Sequence, residues 1–350
     1  METAVIEDMT GRPRASYRRD PHVTYLAFQR LSGATFIDQY IPENPLSMGA
    51  HGFESDTPRG ATTGTETIIR DGMVIDGPES VVAHLEGFRW PALRRHIDDF
   101  EARFEKTVTD LIEDERRLQE AFGSDLLKVP YNGFQNLPRL RYEEYGYANY
   151  FSAYALYPEV MDRDFSLQAD FATRKNRACA EAICRGGLPR LVRLDHDMAE
   201  DRGPIAGVRS LERLWFPHFS RSIQPYLDAG IRLIWHCDGN LMPMIPQLLE
   251  AGIGGFQGFQ YECGMDYEAI CRMTDRCGEP LLIWAGVSVT RTMPFGSPAD
   301  VRRELAWLME NGPPVGLILG ASSSVCPGTR RENIEALIEG LKHYRKHGRG

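Results

Sequence analysis

Long hydrophobic runs are missing from this sequence: nowhere do about 18 apolar residues follow one another, so no membrane-spanning helix is expected. Cysteine is sparse. There are 7 in 350 residues, an odd number without a repeating framework, which reads as free thiols in a reducing compartment rather than as disulfides. No C-x-x-C pair and no H-E-x-x-H occur, so the common zinc motifs are absent. There is no Walker motif and no G-x-S-x-G elbow, which removes P-loop nucleotide chemistry and the hydrolase triad from first consideration. Basic charge is not in excess: 40 Lys+Arg stand against 49 Asp+Glu, a net charge of −9. That balance argues against broad nucleic-acid or anionic-membrane binding. The one basic run, residues 342–349, is expected to be a solvated helix end. Residues 1–20 lack the apolar core of a secretory signal, so they read as a frayed or partner-ordered arm of a cytoplasmic protein.

What is present is an ordinary soluble-enzyme composition, with 42% hydrophobic and 25% charged residues. No repeat of fixed period is found. Residues 1–90 read as a loop-rich extension packed on a larger domain, residues 91–350. Within the extension, residues 65–75 predict a hairpin turning at Asp71-Gly72. One long helix is expected over 91–122, because Ile97, Phe100, Phe104, Val108, Leu111, Leu118 and Phe122 recur near a 3.6 period. Another begins near Pro158 and stops at Gly186-Gly187. From there short apolar runs at 188–194, 231–235, 255–260, 281–285 and 315–319 alternate with helical stretches. Short connections between such elements demand a parallel sheet. The glycine-rich stretch 252–258 leads into a strand rather than from a strand into a helix, so it fails as a dinucleotide loop. The expected fold is therefore α/β, a parallel barrel in preference to an open Rossmann sheet, with the reactive residues at the C-terminal strand ends.

Those ends carry the chemistry. His236 closes one strand, with Asp238 two residues on. Glu262 and Cys326 close two others, and imidazole, carboxylate and thiolate converging from three strands would make a Zn²⁺ site of His236, Asp238, Glu262 and Cys326. Cys237 and Cys263 are expected to turn away by alternation. Asp195 and Asp197, spaced i and i+2, point the same way in an extended segment, and close carboxylates raise one pKa, which would make Asp197 a proton donor. Arg193 and Arg202 flank them and could hold a substrate carboxylate, or pair with these aspartates. Tyr154 belongs to the stripe Tyr147, Tyr150, Tyr154, Tyr157, which could pack or could offer a phenol to substrate.

Several stretches together carry a resemblance. They are Leu194-Asp195-His196-Asp197-Met198-Ala199 with Arg202-Gly203-Pro204, Pro225-Tyr226-Leu227, His236-Cys237-Asp238-Gly239-Asn240, Gln260 through Gly264-Met265-Asp266, Trp284-Ala285-Gly286-Val287, Pro294-Phe295-Gly296-Ser297-Pro298 and Asn333-Ile334. Over roughly 150 residues this region resembles the uroporphyrinogen decarboxylase superfamily. The resemblance implies a (β/α)8 barrel with a deep pocket. It also implies one of two activities. The corrinoid-linked methyltransferases move a methyl group between a small methylated substrate and a corrinoid carried by a partner protein, with zinc held by His-x-Cys and a downstream Cys. Here His236 matches the histidine, Cys326 the downstream cysteine, and Asp238 stands in place of the first cysteine. The alternative is cofactor-free decarboxylation of a carboxylated tetrapyrrole; the arginine-rich entrance segment of that branch is not seen, 25–33 being a poor substitute. Residues 1–90 would either lid the pocket or build a subunit contact in a homodimer.

Overall fold

The computed structural model of the chain describes residues 1–43 and 68–349. It is mixed α/β, built on a parallel sheet of five strands: β1 (Leu191–Asp195), β2 (Arg232–His236), β3 (Gly255–Gln257), β4 (Leu282–Val287) and β5 (Leu317–Ala321). Strands consecutive in the chain are neighbours, in the order β5-β4-β3-β2-β1. A helical crossover separates each pair, as parallel pairing requires. The apolar runs exist because both faces are covered: Leu194, Leu233, Trp235, Phe256, Ile283 and Ala285 are all buried. Trp235 meets Phe219 of the crossover helix Phe216–Asp228 edge to face, 5.3 Å between ring centroids. Each such side chain contributes about 2 kcal/mol by leaving water. Among the described residues, no helix is long and apolar enough to cross a membrane.

Local signals set the helix ends. The helix Pro158–Gly186 stops where Gly187 turns left-handed, at φ 64°. The helix Pro298–Asn311 starts on a capping box: Asp300 N–H donates to Ser297 Oγ, and Ser297 N–H donates to Asp300 Oδ2. The hairpin pairs Ile68–Arg70 with Met73–Ile75 through Asp71 and Gly72, at φ 49° and 81°, the backbone a two-residue primed turn needs. Residues 65–67 of the expected hairpin lie outside the described residues.

Two expectations need correcting. Residues 1–43 are largely helical (Thr3–Met9, Ser16–Arg19, Pro21–Ser32), neither loop-rich nor frayed. Ile6, Tyr17 and Leu26 anchor them, and Glu7 accepts the Ala15 and Tyr17 N–H groups at 3.0 and 2.8 Å. Helical structure continues through residue 90, from Pro78 to Asp98, and Val81, Leu85 and Trp90 join the main core. The long helix expected over 91–122 is two helices, Trp90–Asp98 and Phe100–Phe122. The second presents Phe100 and Val108 to Ala178 and Ala182 of the helix Pro158–Gly186, where small residues let the helices approach.

A separate parallel pair, Phe36–Ile37 with Leu127–Lys128, stands beside the five-stranded sheet. Its link to the sheet is side-chain contact: Phe36 packs on Trp284 of β4 at 5.0 Å, and Asp38 pairs with Arg193 of β1.

Candidate functional site

Strand register assembles the site. Asp195 is paired with His236, His236 with Gln257, and Gln257 with Trp284, so these residues form one row across β1, β2, β3 and β4. Laterally paired residues share a face of the sheet. All four line a cavity of about 1080 Å³. The row lies at the C-terminal strand ends of β1 to β3, where a parallel sheet leaves groups free for ligands.

At this row a carboxylate pair meets an imidazole. Ligand atoms of Asp195, Asp197 and His236 all lie within 4.8 Å of one another. His236 Nε2 is 4.0 Å from Asp195 Oδ1. The other oxygen of Asp195 is already held: Tyr131 Oη donates to Oδ2 at 2.8 Å and Arg193 Nη1 donates to it at 3.3 Å. Asp197 Oδ1 accepts the Asp238 N–H at 3.1 Å. His236 is 9% exposed, and its Nδ1 is buried without a hydrogen-bond partner. Gly258, at φ 84°, is what lets the next loop close over that nitrogen. A Cβ there would stand 2.7 Å from it.

Three converging protein donors fit a divalent-ion site. The donors are hard oxygen, hard oxygen and imidazole nitrogen, which suit Zn²⁺ without selecting it strongly.

Of the four ligands expected from sequence, His236 alone belongs to the three residues brought together. His236 joins Asp195 and Asp197, its neighbour in register and the next residue on that face. Asp238 lies beside this cluster, and its Oδ1 is buried without a partner. Burial pushes the Asp238 carboxyl up; the His236 charge opposes this, while Asp197, Asp195 and Glu262 add to it. Glu262 is taken by the hydroxyls of Ser288 and Thr290. Cys326 sits beyond β5, beside the Met1 amino group that donates to Val325 O. Neither belongs to the His236 cluster. Cys237 turns away as alternation requires. Its sulfur accepts the Met198 N–H at 3.2 Å, and burial pushes the thiol up to about 12.

The expected substrate contacts also change. Arg193 is buried and committed to the protein. Nε donates to Asp38 Oδ2 at 2.7 Å, Nη1 to Gln257 Oε1 at 3.4 Å, and the guanidinium lies 4.6 Å from the Tyr131 ring. Arg202 is exposed at the tip of the small hairpin Ala199–Glu200/Gly203–Pro204. Tyr154 packs in the main core and bonds Ser210 through its hydroxyl. Tyr131, Asp38, Gln257 and Gly258 were not legible as site residues, since only inter-strand register and loop closure bring them in.

His196, between the two aspartates, is structural. It is 3% exposed, accepts the Leu140 N–H at Nε2, and burial pulls its pKa from 6.5 down to about 3. As pH falls below 6.5, the unfolded imidazole binds a proton that the folded one refuses. Its contribution to stability is thus full above 6.5 and is lost progressively toward 3. His196→Gln keeps an acceptor and cannot titrate. Denaturant midpoints should therefore fall less between neutral pH and about pH 4.5 in the variant than in the wild type. An equal fall in both would remove this role for His196.

No model of a known protein family matches the chain, and no curated protein matches it.

Proposed function

We propose that the chain is a uroporphyrinogen-decarboxylase-like (β/α)8 barrel enzyme that moves a methyl group between a small methylated substrate and a corrinoid carried by a partner protein. The five-stranded parallel sheet and the neighbouring Phe36–Ile37 pair are compatible with that barrel. The observation that carries the reading is the row Asp195–His236 at the wall of a cavity of about 1080 Å³, beside an arginine already committed to Asp38. A multi-carboxylate substrate needs free guanidinium groups at the reacting centre. Arg193 offers little there, which weighs against the decarboxylase alternative.

In this reading Asp195, Asp197 and His236 hold a divalent ion, zinc being the expected one. Bound there, it would supply Lewis acidity at the heteroatom that bears the methyl group. Tyr131 and Arg193 keep Asp195 oriented by occupying its second oxygen. Asp238, its carboxyl pushed up by burial, is in this reading the group that passes a proton to the heteroatom as its bond to the methyl carbon breaks.

The test is direct. Purified protein should retain about one zinc per chain, lose it to a strong chelator, and methylate Co(I) cobalamin only when a methylated substrate is supplied, the cobalt spectrum reporting turnover. Full activity after exhaustive chelation would remove the metal. Decarboxylation of a carboxylated tetrapyrrole without any corrinoid would put the alternative in its place.

A further inference from the structure

We propose that the cavity binds an elongated organic anion, its apolar body lying along β5 and its charged end held between Arg345 and Arg349. The lining includes every residue of β5, Leu317 to Ala321, so the cavity extends along the whole strand, about 16 Å at roughly 3.3 Å per residue. All five of those residues are half-buried, and among the described residues β5 pairs with β4 alone. Apolar side chains from two helices line the cavity as well. Leu337 and Leu341 of the C-terminal helix Arg331–His347 face it, together with Phe28 of the helix Pro21–Ser32.

The two ends differ in charge. Asp195, Asp197 and His236 stand at the C-terminal ends of their strands. Arg345 and Arg349 line the cavity near Pro313 and Pro314, ahead of the start of β5. Arg345 gives one donor to Gly33 O, and Arg349 uses one terminal nitrogen on Gly312 O and Pro313 O. A guanidinium carries five N–H groups, so both keep donors for a ligand. Charge and shape together therefore orient the ligand: anion toward the arginines, apolar body between the leucines, uncharged end toward His236. A volume of about 1080 Å³ is at the upper end of the range for small-molecule sites. That the uncharged end is the reacting end rests on the methyl-transfer reading; the binding itself does not.

Calorimetric titration of the full chain, with decanoate, decanol and decylamine as probes, tests this. Decanoate should bind, decanol more weakly, and decylamine least. Arg345→Glu with Arg349→Glu should weaken decanoate by about tenfold or more. Both side chains are exposed, so the variant should fold. Leu341→Trp, which fills the slot, should weaken decanoate and decanol alike while the circular dichroism stays native. His236→Ala should lose zinc in a metal titration while Arg345→Glu with Arg349→Glu keeps it, so failure of the methyl-transfer reading and failure of this site are separable. No binding of decanoate, decylamine binding as tightly as decanoate, or decanoate affinity unmoved by the arginine pair would each overturn the proposal.

Discussion

Replacing His236 with alanine should lower methyl transfer by about a hundred- to ten-thousandfold, the range a positioned acid–base or ligand group supplies, and cost little stability. The two halves of this result have separate causes. His236 provides the only nitrogen of the donor cluster, so its loss removes the group that tells a zinc site from a pair of surface aspartates. Zinc titration of the variant should show weakened binding alongside the lost turnover. The fold is spared because the ring already borders the cavity. Truncation enlarges an existing void instead of sealing a new one, and Nδ1 has no hydrogen bond to lose. The melting temperature should therefore shift by only a few degrees, corresponding to about 1 kcal/mol. Asp195→Asn should weaken zinc in the same assay, since it keeps shape and removes charge. Activity within a few-fold of wild type in His236→Ala would remove His236 from the machinery.

The chemistry of this site was legible one strand at a time. His236, Asp195 and Asp197 each stand out because a polar, reactive residue closes an apolar run. Their meeting was not legible, because it depends on the pairing of Asp195 with His236, and register is a property of two strands. Glu262 and Cys326 were drawn in by their nearness to strand ends in sequence. A few residues of loop suffice to carry a side chain elsewhere, one to Ser288 and Thr290 and the other to the N-terminal amine.

The same distinction holds for the fold. The five-strand alternation is written in long-range periodicity, with glycines marking ends such as Gly187, Gly230 and Gly252. The helices of residues 1–43 are short, and their apolar faces are too brief to show a period. One signal was there to read: Asp20 caps Pro21–Ser32 by accepting the Val23 N–H at 3.1 Å, with Pro21 at the first helical position. Tyr154 shows the opposite lesson. Helical spacing of tyrosines marks a packed stripe, and Tyr150 and Tyr154 are both in the core.

Arg193→Met should be a stability variant before it is an activity variant, losing about 3–5 kcal/mol in denaturant unfolding. The Arg193–Asp38 pair is 7% exposed on each side chain and closes at 2.7 Å. Removing the guanidinium leaves the Asp38 carboxylate buried without its cation, and that uncompensated charge, rather than the net worth of the pair, sets the size of the loss. It follows that Arg193→Met combined with Asp38→Asn should recover much of the stability lost in the single variant. Methionine fills part of the space between Tyr131 and Trp284, where the guanidinium now lies 4.6 and 5.5 Å from the two rings. Turnover in the double variant should stay reduced, because Asp195 loses the donor at 3.3 Å that helps fix its second oxygen. An arginine that instead gripped a substrate carboxylate would behave in the opposite way. Its loss would raise KM, leave unfolding unchanged, and gain nothing from the Asp38 substitution. Unfolding curves and KM measured on the same three proteins distinguish the two roles, and with them the methyl-transfer reading from one in which the strand-end arginine binds a carboxylated substrate.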